Sequence, residues 1–194
     1  MSLRTIAGRS VALLATTLLI IGVAPAGAAY APVEPYARYQ PQSVCSPVAK
    51  AGTVALGRWL VRTHGGRFGT ISRSCAGRSV SEHKEGRAFD WTLDVRRARD
   101  RASAARFLRA AFATGTSGEH AELARRMGIM YIIWNDRIYS SYRQFSAKPY
   151  LSPSCKRLST CSRTLRHRDH MHISLTRAAA WSRTSWYAGR VPAS

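Results

Sequence analysis

The sequence predicts an α+β fold: a small, largely antiparallel sheet with flanking helices. Three observations lead to this prediction. Several segments carry apolar residues at helical spacing, other short segments alternate or are continuously apolar as strands are, and the two kinds do not follow a strict strand–helix–strand order. The 194 residues suit one compact domain with a core of ordinary size.

The N-terminal residues have the three parts of a secretory signal peptide. Residues 1–9 carry two arginines and no acid, residues 11–23 are mostly apolar, and small residues follow. This apolar run is shorter than the roughly 20 residues that a membrane span needs, although a retained anchor is the alternative. We therefore predict a signal peptide at 1–28, a lead-in at 29–44 and one domain at 45–194, in a secreted or cell-wall-associated protein.

Within the domain, periodicity and turn residues assign the elements in order. Helices are predicted at three segments: 46–64, 102–113 and 119–127. Strands are predicted at five segments: 68–73, 87–93, 129–134, 137–142 and 170–175. The polar segment 78–85 and the Pro-, Ser- and Cys-containing segment 145–165 are predicted to be loops.

Four cysteines in an exported chain predict two disulfides. The sequence allows three pairings. We favour Cys45–Cys75, which ties the N-terminal segment to the strand before the first polar motif, and Cys155–Cys161, which closes a short loop. The alternative is that Cys155 and Cys161 bind zinc together with the nearby histidines.

The chain is strongly basic, with 30 basic and 10 acidic residues and a formal net charge of +20. Such a surface attracts polyanions, and an exported protein first meets the carboxylates and phosphates of the cell wall. The arginines are scattered along the chain, and it contains no recognised nucleic-acid-binding motif. We expect peptidoglycan or another anionic wall polymer as partner, and no nucleic acid.

The first polar motif is Ser81–Asp90, with the pattern S-x-H-x-x-G-x-A-x-D. Alternate residues of a strand share one face, so Asp90 is expected opposite to its two aromatic neighbours, which point into the core. Gly86 permits a turn that folds His83 back beside Asp90. The alternative is a polar loop with an exposed histidine.

The second motif is His167-x-x-His170-x-His172, which holds three of the six histidines of the chain. On a strand, His170 and His172 lie on the same face. Together the two motifs supply imidazoles and a carboxylate, the set that holds Zn²⁺ with its fourth position open to water. A structural His–Asp network without metal is the alternative.

This ordered pair of motifs resembles the zinc peptidases that include D-Ala-D-Ala carboxypeptidases, murein endopeptidases and the hedgehog signalling domain. The spacing of the second motif is most similar to that of penicillin-insensitive murein endopeptidases. The wider stretch from Pro47 to His172, including Gly128–Tyr131, resembles a group of exported actinobacterial proteins. The resemblance implies a hedgehog- or peptidase-like fold, a zinc ion held by His83, Asp90 and His172, and hydrolysis of peptidoglycan stem or cross-link peptides.

The resemblance also implies roles for three residues around the metal, and a fourth, His167, is considered for its position at the end of the loop. His170 takes the place of the histidine beside the metal in the endopeptidases, and strand alternation favours it as general base. Carboxypeptidases use a glutamate three positions before the last ligand, where this chain has Asp169, so the identity of the base stays open. His167 is expected to reach back over the site. Arg73 lies where relatives have a basic residue that polarises the scissile carbonyl, although an ordinary surface arginine is the alternative.

Two other functional classes compete with the peptidase. One is a zinc-containing cell-wall-binding module without activity, because hedgehog shares the ligand set. The other is a basic polyanion binder. The extra histidines beside the ligands favour the enzyme, since structural zinc usually has a fourth protein ligand. The sequence predicts neither the bond that is cut nor the oligomeric state.

Overall fold

The computed structural model describes residues 31–191, and the predicted signal peptide at 1–28 lies outside them. The described residues form an α+β fold, as predicted. Its helices are α1 Ala51–His64, α2 Ala98–Phe112, α3 Glu122–Arg126 and α4 Arg177–Ala180. Its strands are β1 Arg67–Phe68, β2 Ala88–Thr92, β3 Ile129–Trp134, β4 Arg137–Ser140, β5 Ala147–Pro149 and β6 Met171–Leu175.

The strands form one sheet in the order β1-β2-β6-β3-β4-β5, and every neighbouring pair is antiparallel. The last strand, β6, therefore lies in the middle of the sheet between β2 and β3. This position brings the second polar motif beside the first, although about 80 residues separate them in the chain.

The sheet has one apolar face and one polar face, because side chains alternate along each strand. Phe89, Trp91, Ile132 and Ile173 are fully buried in the core. Helices α1 and α2 pack on that side. Burying one side chain of this size contributes about 1.5–3 kcal/mol, so the apolar face fixes which residues are left for the polar face.

The helix ends differ from those predicted. Helix α1 begins at Ala51 and not near residue 46, because the segment before it is held in extended form. There the amides of Ser46 and Lys50 donate to the carbonyl oxygens of Lys84 and Gly86. Helix α2 begins four residues before the predicted start, and α3 is shorter than predicted.

The strands also differ in extent. Strand β1 overlaps the predicted 68–73 segment only at Phe68. After it, Gly69 lies so close to β2 that a Cβ there would be 2.0 Å from the Asp90 carbonyl oxygen. Strand β5 lies inside the predicted 145–165 loop, and α4 was not predicted. Neither is marked by periodicity: β5 has three exposed residues, one of them proline, and α4 only four.

Both favoured disulfides are present. Cys45–Cys75 and Cys155–Cys161 join Cα atoms 5.9 Å and 5.5 Å apart, respectively. The zinc-ligand alternative for Cys155 and Cys161 is therefore wrong. Disulfides are typical of proteins that fold in oxidising compartments.

Residues 31–44, in the predicted lead-in, have no regular secondary structure but contact the domain. Arg125 donates to the carbonyl oxygen of Glu34, and the Ala37 amide donates to the Ser141 hydroxyl. The Ser43 amide donates to the carboxylate of Glu85. Among the described residues, no helix has the length and apolarity that crossing a membrane requires.

Candidate metal centre

The centre of the site is fixed by the register of β2 against β6. Asp90 lies directly opposite His172, and both side chains project from the polar face of the sheet. Directly opposite residues of antiparallel strands have Cβ atoms about 4.5–5.5 Å apart, so the carboxylate and the imidazole meet. The Asp90 Oδ1–His172 Nδ1 distance is 3.1 Å.

The third member, His83, comes from a short 3₁₀ helix, Glu82–Glu85, that precedes β2. The Ser81 hydroxyl caps this helix by accepting a hydrogen bond from the His83 amide. Gly86 then turns the chain back with a φ of 65°, and a Cβ there would be 2.0 Å from the Val48 carbonyl oxygen. Both the positive φ and the close approach require glycine. This turn places His83 beside Asp90, as the motif predicts.

Three atoms converge at this point: His83 Nε2, Asp90 Oδ1 and His172 Nδ1. They are 3.1–3.2 Å from one another. Tetrahedral zinc with bonds of about 2.0–2.1 Å holds its ligand atoms about 3.3 Å apart. The three atoms are thus within a few tenths of an ångström of this spacing, and the group can hold a metal ion.

The hydrogen bonds of the two imidazoles show which nitrogens carry protons. His83 Nδ1 is 2.8 Å from the carbonyl oxygen of Ile71, so this nitrogen carries a proton and donates it. His172 Nε2 is 3.0 Å from the Ser174 hydroxyl oxygen, whose own proton points to Glu82. His172 Nε2 therefore donates. When both rings are neutral, the nitrogens that face Asp90 are both lone pairs, and three acceptors point at one another.

This convergence favours a cation at the centre. Buried acceptors at 3.1–3.2 Å repel one another unless a positive charge lies among them. His83 is fully buried and His172 is 7 % exposed, so water screens the repulsion little. A divalent metal ion bound to all three lone pairs removes the conflict, which is the fit expected of a metal site.

The pKa shifts of Asp90 and His172 favour the protonation states that bind a metal ion. Burial opposes ionisation of Asp90, but the hydrogen bonds and positive charge that His172 and His83 supply when a ring is protonated outweigh that effect and hold the pKa of the carboxyl far below its usual range. Burial lowers the pKa of His172, against the pull of Asp90. An ionised carboxylate and a neutral imidazole are the forms that bind metal.

A buried polar network supports His172 from behind. The Glu82 carboxylate accepts hydrogen bonds from the Tyr131 hydroxyl at 2.5 Å and from the Ser174 hydroxyl at 3.4 Å. The Tyr131 ring also stacks on the His172 ring, with centroids 5.5 Å apart. Partners of this kind fix the tautomer and the orientation of a metal-binding histidine.

Sequence reasoning missed this network. The same 3₁₀ helix has a second carboxylate, that of Glu85. Glu85 contacts Arg87, Arg177 and Ser43 and does not contact the three ligand atoms. Strand alternation could have found Ser174, two residues after His172. Tyr131 depends on the register of β3 against β6, which no local pattern reveals.

His170 and Asp169 form a pair at the edge of the centre. The Asp169 carboxylate is 2.7 Å from His170 Nδ1, so this nitrogen carries the proton. The other nitrogen, Nε2, then has a free lone pair and lies 3.7 Å from Asp90 Oδ1. His170 Nε2 thus lies next to the three converging atoms, and Asp169 holds the ring in this orientation.

The two other predicted residues, His167 and Arg73, line the same cleft of about 590 Å³. The His167 ring centroid is 4.8 Å from that of His170 and 5.7 Å from that of His172. Burial lowers the pKa of His167 to about 3, so this ring is neutral, and its buried Nδ1 has no hydrogen-bond partner among the described residues. Arg73 is exposed in the loop that holds Cys75.

Comparison with known proteins gives one match. A family model described as VldE, C-terminal domain, matches residues 45–152, more than half of the chain. The chain belongs to this family. The matched span includes His83 and Asp90 and ends before the three histidines of the second motif. No curated protein and no solved structure matches the chain.

Proposed function

We propose that the protein is an exported zinc-dependent peptidase that hydrolyses amide bonds in the stem or cross-link peptides of peptidoglycan. One observation carries the proposal: His83 Nε2, Asp90 Oδ1 and His172 Nδ1 meet as three lone-pair donors beside an open cleft. Three protein ligands and an open fourth position are typical of catalytic zinc, whereas structural zinc is closed by a fourth ligand.

The substrate class follows from location and charge. The N-terminal pattern and the two disulfides support export, where the cell wall is the first polymer met. The net charge of +20 favours association with its carboxylates and phosphates. The resemblance of the two motifs to zinc peptidases of the cell wall supports amide hydrolysis as the reaction.

The side chains around the ligands supply the proton transfers. Zinc, when bound, supplies the Lewis acidity that lowers the pKa of water to about 7. His170 accepts the proton of the attacking water at Nε2 and returns it to the leaving amine. Asp169 keeps the Nδ1 proton in place and stabilises the imidazolium that forms. Arg73, in the same cleft, pairs with the charge that develops on the carbonyl oxygen.

The first test is the zinc content of the purified protein and of His172→Ala, with His120→Ala as the matched control. His120 is exposed and hydrogen-bonds to Tyr36, outside the site. We expect about one zinc per chain in the wild type and the control, and none in His172→Ala. A wild-type chain that takes up no zinc from added Zn²⁺ would contradict the proposal.

The second test is digestion of purified peptidoglycan, with the released peptides identified by mass spectrometry. We expect new peptide termini with the zinc-loaded wild type and the His120→Ala control, and none with His172→Ala. Bound zinc without cleavage would favour the wall-binding module without activity. Binding that weakens steeply with salt and needs no metal would instead indicate a simple polyanion binder.

A further inference from the structure

A second cleft, of about 710 Å³, adjoins the metal centre on the side away from His167. The two clefts share Asp90, Thr164 and His170. The second cleft is lined by residues of the glycine-containing segment 65–70 and by the start of α2. A chain lying across His170 would therefore have room on both sides of the proposed base.

Three arginines, Arg67, Arg97 and Arg99, line this second cleft, which we name the arginine cleft. Its carboxylates besides Asp90 already have partners. These pairs are Asp94 with Arg96 and Arg163, Asp100 with Arg99, and Asp169 with His170 and Thr164.

Arg67 and Arg97 are not neutralised by any of these pairs. Neither guanidinium has a carboxylate within 4.0 Å in the part of the chain that the structure describes, and both side chains are exposed. Arg97 is also the N-cap of α2, a helix of 15 residues without a side-chain cap. The positive end of its helix dipole therefore adds to the positive electrostatic potential of the cleft. The arginine cleft thus presents unpaired positive charge next to the metal centre.

Resting on the proposed peptidase function, we propose that the arginine cleft is a substrate subsite that binds a carboxylate through Arg67 and Arg97. Guanidinium groups match carboxylates in charge and in hydrogen-bond geometry. The carboxylate has two sources in a peptide, the C-terminus or an acidic side chain. A C-terminal carboxylate would make the enzyme a carboxypeptidase, and a side-chain carboxylate would let it cut within a chain.

The test measures binding of three synthetic peptides to the zinc-loaded protein by isothermal titration calorimetry. They are N-acetyl-Ala-Ala-Ala with a free C-terminus, the same peptide with a C-terminal amide, and N-acetyl-Ala-Glu-Ala amide. The variant is Arg67→Ala/Arg97→Ala. Its control, Arg109→Ala/Arg183→Ala, removes the same charge from two exposed arginines outside both clefts.

We expect one of the two carboxylate peptides to bind about tenfold more tightly than the neutral amide, in the wild type and in the control, because a hydrogen bond between charged groups is stronger than one between neutral groups. The variant should lose this preference. The peptide that is preferred identifies the source of the carboxylate. Equal binding of all three peptides, no binding, or a preference that survives in the variant would overturn the subsite.

The binding test of the subsite and the digestion test of the proposed peptidase can fail independently of each other. A carboxylate preference without peptidoglycan cleavage would contradict the peptidase and keep the subsite. Cleavage with equal binding of the three peptides would contradict the subsite and keep the peptidase. Thermal unfolding of the variant shows whether it has kept its fold.

Discussion

Replacing Ser174 by alanine removes one oxygen atom from behind the metal centre and leaves the three ligands in the chain. The Ser174 hydroxyl is fully buried and receives the His172 Nε2 proton at 3.0 Å. Without it, that N–H loses its acceptor. The ring is then free to flip or to move its proton to Nδ1, the nitrogen that faces Asp90 and His83.

The expected loss of zinc affinity follows from this change of tautomer. Removing a hydrogen-bond partner of a metal-binding histidine typically weakens metal binding 10- to 100-fold, which is about 1.4–2.7 kcal/mol. The unpaired buried N–H also lowers the free energy of unfolding of the metal-free protein by about 1–3 kcal/mol.

The assay is competition for Zn²⁺ with a chelating dye at pH 7, together with urea unfolding of the metal-free protein. Ser141→Ala is the matched control, because its buried hydroxyl accepts a hydrogen bond from the Ala37 amide in the lead-in. We expect both variants to lose stability and Ser174→Ala alone to lose zinc affinity. Unchanged zinc affinity in Ser174→Ala, or an equal loss in both variants, would refute the reasoning.

Three further predictions concern the base, acid stability and the disulfides. His170→Ala should keep zinc, measured by metal analysis, and lose about 10²- to 10⁴-fold in the rate of peptidoglycan cleavage; an unchanged rate would exclude it as base. Glu85 has its pKa lowered to about 2, because hydrogen bonds from Ser43 and the arginines outweigh its burial. The ionised Glu85 carboxylate therefore adds up to about 3 kcal/mol to the free energy of unfolding; this is complete above pH 4.5 and is lost as the pH falls towards 2. Glu85→Gln should make the free energy of unfolding, measured in urea, fall less steeply in this acid range. Replacing both cysteines of Cys45–Cys75 by serine should lower the free energy of unfolding in urea by roughly 3.7 kcal/mol, because the disulfide closes the longer loop. Replacing Cys155 and Cys161 should lower it by roughly 2.4 kcal/mol. The reverse order would contradict the loop-entropy estimate.

The elements with strong periodicity could be predicted from the sequence. Strand β3 was predicted with the observed ends, because its run of apolar and β-branched residues is buried on both faces. The alternation in β2 and β6 correctly separated Phe89 and Ile173 in the core from Asp90 and His172 on the polar face. Strand β5 and helix α4 could not be predicted, because neighbouring segments and not their own sequences stabilise them.

The sequence by itself determined which side chains were available to the site. The spacing from His83 through Gly86 to Asp90 fixes a local turn, and strand alternation puts His172 on the polar face. His170, the residue just before β6, reaches the same centre. These relations lie within short segments, where backbone geometry decides position. The pairing of the four cysteines was also favoured correctly, because the loops that it closes are short in sequence.

Only the tertiary structure decided that the two motifs meet. Placing β6 between β2 and β3 sets Asp90 opposite His172, and it brings Tyr131 from a third strand to Glu82 and His172. The arginine cleft likewise combines the segment before β2 with the start of α2. Strand order and register depend on how the whole apolar face packs, and a local pattern holds no information about a partner many residues away.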